Sequence, residues 1–216
     1  MCEVCAEVTM MTGAGIMLMS GDLPRGSVCT TNEVSALIED LQYTLGEGPC
    51  IDAHVQERPV LEPDLADPIA SRWPAFSPPA VQAGARAVFG FPLRVGAARL
   101  GAMNIYRDRT GALSDDQHAD ALVMADVAAR SVLAMQAQAP PGALPVELED
   151  DAGANFQFVV HQASGMVAAQ LEVSIVEALI RLRAYAFANG RPLADVAEQV
   201  VDRQLRFDNL DGGKGE

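Results

Sequence analysis

NFQFVVHQASGMVAAQLEVSIVEALIRLRAYAFANGRPLADVAEQVVDRQLRF, residues 155–207, is the stretch from which the organisation of this chain can be read. It reads as three short helices. Ser174 followed three residues later by Glu177 is a capping-box pattern, in which hydroxyl and carboxylate each satisfy a backbone N–H orphaned at a helix start. From there Ile175, Ala178, Leu179, Leu182 and Ala186 recur at helical spacing. Asn189-Gly190 then supplies residues that tolerate the left-handed backbone in which helices end. Pro192 fits the first turn of a third helix, where its missing N–H costs nothing, and Leu193, Val196, Ala197, Val200, Val201 and Leu205 form that helix's apolar face. The first helix carries Phe156, Val159, Val160, Ala163, Met166 and Val167, with Gly165 placed for a close approach of two backbones.

Three amphipathic helices say little about function, but the elements VVHQASGMV, VEALIRLRAYA and LADVAEQVV say more. In them the stretch resembles the ANTAR domain, the RNA-binding antitermination module of bacterial regulators. The resemblance implies binding to paired hairpins in a nascent transcript, which keeps a terminator from forming. Many members carry a lysine just before the glycine of the first helix; here that position is Ser164, one possible phosphate contact fewer.

Upstream, Val4, Val8 and Met11 share one face of a short opening helix, and Ile16–Met19 is a buried strand that Ser27–Thr31 can pair with. Glu33–Leu45 has Val34, Leu37, Ile38 and Leu41 at helical spacing and stops at Gly46-Glu47-Gly48-Pro49. Pro59–Leu61 reads as a short strand and Ala80–Ala83 as a helical patch. Arg86–Leu93 and Arg99–Tyr106 are the clearest strands, joined as a hairpin through Val95–Ala98. Ser114 caps a helix to about Met135, with Leu122, Val123, Val127, Val132 and Leu133 expected on its buried side. Strands flanked by helices in this order make an α+β domain with an antiparallel sheet.

That domain resembles the GAF fold, in the version coupled to ANTAR in actinobacterial regulators, through LQYTLGEGPCIDA, DLADP, RWPAF, VFGFPL and LGAMNIYRD. The expected layout is a GAF sensory domain at 1–136, a proline-rich acidic linker at 137–154, an all-α ANTAR domain at 155–207 and a disordered tail at 208–216. The resemblance implies a small-ligand or redox signal received between sheet and helices, with Tyr43, Cys50, Asp52, Trp73, Phe76 and Asn104 as lining candidates. Core packing is the alternative for Trp73 and Phe76, and helix capping for Asp52.

Cys50 sits in a Gly-Glu-Gly-Pro-Cys turn that can expose a thiolate near a helix N-terminus, where the dipole lowers its pKa. This supports a rival reading as a thiol enzyme or redox sensor. GAF-type methionine sulfoxide reductases, however, carry a second cysteine about ten residues earlier, where this chain has Asp40. His54, His118 and His161 show no hydrolytic spacing, and phosphate-binding glycine loops and metal-ligand clusters are absent from the sequence, so the chain is read as a non-enzyme without metal or cofactor. The C-x-x-C of Cys2 and Cys5 lacks a second ligand pair for zinc. All four cysteines, with Cys29 and Cys50, are expected as free thiols in a reducing cytoplasm.

Net charge is −14, an unfavourable sign for binding phosphate. The acid excess lies outside 155–207, where five arginines (Arg181, Arg183, Arg191, Arg203, Arg206) balance five acids. Arginine suits RNA because its planar fork pairs with phosphate and stacks on bases. The preferred RNA contacts are Arg183, Tyr185, Arg191, Arg203 and Arg206, with Arg181 and Gln162 next. Pro140, Pro141 and Pro145 interrupt any rod between the domains, leaving either a homodimer whose spacing responds to the signal or a flexible tether. A third reading keeps the chain as a ligand-binding interaction module without RNA binding.

Overall fold

The computed structural model describes residues 1–21, 23–67, 72–138 and 152–208. The chain divides into two compact units, within Met1–Leu148 and Glu149–Glu216. The centre of the expected linker, 139–151, and the expected tail from 209 onward lie outside the described residues.

The first unit begins with α1 (Cys2–Thr9), which ends at Met10 in the left-handed region (φ 53°) before β1 (Gly13–Ser20) and β2 (Leu23–Thr30). Next, α2 (Glu33–Leu45) is opened by a reciprocal cap: Ser35 N donates to Asn32 Oδ1 and Asn32 N to Ser35 Oγ, both at 2.9 Å. It closes on Gly46 at φ 68°. Gly48 (φ 134°) then turns the chain into α3 (Pro49–Gln56), with proline at the first helical position. After β3 (Val60–Glu62) and α4 (Ser77–Gln82), β4 (Ala87–Val95) and β5 (Ala98–Arg107) form a hairpin through a turn of Gly96-Ala97. The helix α5 (Asp115–Gln138) starts on a second reciprocal cap between Ser114 and Gln117.

The sheet is antiparallel in the order β2-β1-β5-β4-β3. Alternation along each strand sends residues to opposite faces. Ile16, Phe89, Phe91, Met103 and Ile105 meet α1 and α5 on one side; Val88 and Tyr106 meet α2–α4 on the other, with Trp73 and Phe76. Glycines set the height of the second layer. Gly15 and Gly90 flank Asn104 across the sheet, and a Cβ at either would run into Glu39 or the Pro49 carbonyl.

Two helices turn faces other than those expected toward the core. Val4 and Val8 of α1 are exposed, and Cys2, Cys5, Ala6 and Thr9 are buried instead. On α5, Leu122, Val123, Val127 and Leu133 are exposed while Ala121, Ala125, Ala128, Ala129 and Val132 face the sheet. The strand residues opposite are bulky aromatics, so small helix residues let the layers close without voids. Leu37 on α2 is likewise exposed. The cysteines are not all free: Cys2 and Cys29 form a disulfide that ties α1 to β2, leaving Cys5 and Cys50 as buried thiols.

The second unit is a bundle of α6 (Ala152–Leu171), α7 (Ile175–Ala188) and α8 (Leu193–Val201). Ser174 caps α7 by accepting from Glu177 N at 3.2 Å, but the Glu177 carboxylate takes Arg181 at 2.9 Å rather than completing the box. Gly190 (φ 59°) breaks the chain and Pro192 occupies the N-cap of α8, one residue ahead of its first turn. Leu179, Leu182, Leu193, Val196 and Val200 fill the core with Val160, Ala163 and Val167; Ile175 is exposed. Gly165 faces open space and mediates no close backbone approach. Ser164 is buried and donates to the Val160 carbonyl at 2.7 Å, so its position points into the bundle rather than toward a phosphate.

Candidate functional site

In the first unit Glu47, between α2 and α3, and Asp52 on α3 act as fasteners. Glu47 Oε1 accepts from Ala75 N (2.7 Å) and Phe76 N (2.9 Å), and Asp52 Oδ2 accepts from Trp73 Nε1 (3.2 Å) and Arg72 (3.0 Å). These bonds hold the segment carrying Trp73 and Phe76 over α3, with the two rings edge to face at 6.1 Å. Trp73 and Phe76 are therefore core residues, and Asp52 anchors a loop rather than capping a helix. Tyr43 is buried in the same layer.

Cys50 departs from the reading of an exposed, acidified thiol. Its side chain is wholly buried, its backbone N–H donates to Gln42 Oε1 at 2.7 Å, and burial followed by the nearby Glu39 carboxyl pushes the thiol well above its ordinary range. A helix N-terminus lowers a thiol pKa only where desolvation does not outweigh it. The other free thiol, Cys5, lies in the core on the opposite face of the sheet.

Of the six lining candidates, Asn104 sits at the most polar point. It is fully buried on β5 and donates from Nδ2 to Glu39 Oε1 at 3.0 Å. Burial drives the Glu39 carboxyl up to about 8, so it carries its proton at neutral pH. Three buried atoms here have no partner: Glu39 Oε2, Gln42 Nε2 and Asn104 Oδ1. The cluster thus leaves both donor and acceptor capacity unused inside the layer. Glu39 and Gln42 escaped sequence reading because they lie off the apolar stripe of α2, where polar residues are normally solvated.

His54 is also buried, with Nδ1 3.3 Å from Gly101 O and Nε2 2.8 Å from Gly21 O, a bridge between backbone carbonyls. Among the described residues no cluster of acids, cysteines and histidines suits a metal ion. A cleft of about 240 Å³ opens elsewhere, between α5 and β4, lined by Glu57, Phe91, Arg94, Leu122 and Asp126, and includes none of the six candidates.

In the second unit the expected RNA contacts fall on different surfaces. Arg183 and Tyr185 are half-buried on α7; Tyr185 packs against Phe207 with ring centroids 5.4 Å apart. Arg191 follows α7 and donates to Gln199 Oε1 at 2.8 Å. Arg203 is exposed at a left-handed position (φ 61°) just beyond α8, and exposed Arg206 pairs with Asp208. Arg181 pairs with Glu177, and Gln162 is exposed on α6. The exposed ring of α7 is Phe187, which sequence reading passed over; its signal was a position off the buried stripe.

A mixed α+β unit followed by a three-helix unit is the class that these features define. Residues 157–201 match the ANTAR domain, covering nearly all of α6–α8. The first unit is similar in fold to a domain of a protein assigned as a two-component sensor histidine kinase from Sinorhizobium meliloti 1021, at 18% identity and TM-score 0.50, over 63% of this chain and 89% of that one. It also aligns with the GAF domain of a phosphoenolpyruvate-protein phosphotransferase from Coxiella burnetii (14%, TM-score 0.46, 62% and 78%). A further alignment is with a type II free methionine-R-sulfoxide reductase from Thermoplasma acidophilum (19%, TM-score 0.45, 61% and 86%). No curated protein sequence matches the chain. The chain joins an α+β unit to a three-helix unit that matches the ANTAR domain. Among the described residues no single helix is long and apolar enough to cross a membrane.

Proposed function

We propose that this chain is a cytoplasmic, non-enzymatic regulator of transcription antitermination, in which the GAF-like unit receives a small polar signal and the ANTAR unit binds hairpins in nascent RNA. The observation that carries the reading is the coincidence of the ANTAR match with a folded three-helix unit bearing arginines at its surface. The sequestered, pKa-raised Cys50 weighs against a thiol enzyme. For the signal, the Glu39–Gln42–Asn104 cluster is the natural receiver, since its unpartnered atoms reward a guest that completes their hydrogen bonds.

A homodimer fits the same reading: exposed Leu122, Val123 and Val127 on α5 and Val4 and Val8 on α1 supply apolar surface for a second copy. Two ANTAR units would then engage two hairpins with the gain that effective concentration brings. The test is a gel shift of full-length protein on tandem hairpins overlapping terminators in neighbouring transcripts, with light scattering for mass. Binding that Arg183→Ala and Arg203→Ala weaken, with a flatter salt dependence, supports the reading. Protein that ignores every such transcript removes it.

A further inference from the structure

We propose that Phe187 is a stacking platform for an unpaired base of the bound RNA, with half-buried Arg183 one turn before it on the same helix face. The inference rests on the RNA reading above and names the surface through which it acts. Phe187 is 68% exposed on the last turn of α7. A ring so placed loses hydrophobic stabilisation that burial would give, and it belongs to no buried core among the described residues. Tyr185, the other aromatic residue of the helix, is committed to Phe207 and leaves little face for a base.

The surroundings of Phe187 favour a polyanion. Arg183 precedes it by four residues on the same face of α7, and Arg191 follows in the chain beyond the left-handed Gly190 that ends the helix. Arg191 uses one donor on Gln199, and a guanidinium has five. The acid of α7, Glu177, is already paired with Arg181, and no acid follows it in the helix. Exposed Val176 and Ile180 extend the same face toward the start of α7. An exposed aromatic ring on a helix face that carries an arginine and no free acid beyond Glu177 matches the way unpaired loop bases are held, by stacking on rings while phosphates meet guanidinium groups.

The experiment uses full-length protein, Phe187→Ala, Phe187→Leu and Phe187→Tyr. Each is titrated against a pool of RNA stem-loops with one fixed stem and a randomised loop, and against the same stem as a loopless duplex. Stacking predicts that Ala and Leu weaken stem-loop binding by about 5- to 150-fold, that Tyr retains it, and that duplex binding is unmoved. Circular dichroism unchanged in all three variants shows that the bundle is intact. Equal stem-loop affinity in wild type and the Ala variant overturns the assignment while leaving RNA binding standing. Wild type that binds neither RNA removes both. A Leu variant that binds like wild type, or an Ala variant that changes only the mass by light scattering, assigns the face to apolar protein contact and overturns the proposal.

Discussion

Asn104 on β5 donates its amide to the Glu39 carboxyl of α2 at 3.0 Å, both side chains being buried beneath the α2–α3 layer. Gly15 and Gly90 on the neighbouring strands make room for this pair, because a methyl group at either position would collide with Glu39 or with the start of α3. The polar centre of the first unit is therefore built by small residues as much as by polar ones.

The pair makes stability depend on pH. Glu39 ionises near 4.5 in an unfolded chain and near 8 in the folded one, so between these values the folded state holds a proton that the unfolded state releases. Its stabilising contribution is whole below pH 4.5 and is lost as pH rises to 8, at up to about 1.4 kcal/mol per pH unit. Glu39→Gln keeps an acceptor for Asn104 and removes the titration. Urea denaturation across this window should show the variant gaining on wild type as pH rises; parallel curves would mean that Glu39 is ionised in the fold.

Buried Cys50 should be chemically silent in the native protein. Alkylation by iodoacetamide, followed by mass spectrometry, is expected to label Cys50 only at the rate of unfolding, with labelling becoming rapid in denaturant. Rapid native labelling at neutral pH would restore the thiol-chemistry reading.

Two glycine-to-alanine changes should diverge. Gly90→Ala forces the β4 backbone and Pro49 apart and is expected to cost about 1–3 kcal/mol, as overpacking does. Gly165→Ala meets open space in mid-helix and is expected to stabilise the second unit by roughly 0.5–1 kcal/mol. Thermal melts of both variants decide; a neutral Gly90→Ala would show that α3 does not rest on the sheet at this point.

The Cys2–Cys29 bridge, closing a 27-residue separation, should stabilise the first unit by about 3–4 kcal/mol on the loop-entropy account. A reductant is expected to lower the melting temperature of wild type and to leave a Cys2→Ser/Cys29→Ser variant unchanged. Equal melting of wild type with and without reductant would argue that the bridge contributes nothing in solution.

Much of this architecture was legible in the chain. The limits of α2 and α7, the β4–β5 hairpin and the Ser114 cap follow from residues within three or four positions of each boundary, whereas α8 stops at Val201, short of the Leu205 expected on its apolar face. Caps, glycines and prolines act through adjacent backbone groups, so their consequences are local. The ANTAR elements were likewise contiguous in sequence.

What only the tertiary structure decided is which side of each element is inside. The helix α5 carries apolar residues on more than one face, and the choice of its alanine face over Leu122 and Val123 was made by the bulky residues of the sheet opposite. Glu39 is interior because Gly15 and Asn104, from distant strands, give it room and a partner, and Gln42 because the turn through Gly48 and Cys50 folds against it. The Cys2–Cys29 bridge, the burial of Cys50 and the exchange of Tyr185 for Phe187 as the exposed ring have the same origin. Periodicity records how many faces a helix can bury; the surface it meets determines which one it does.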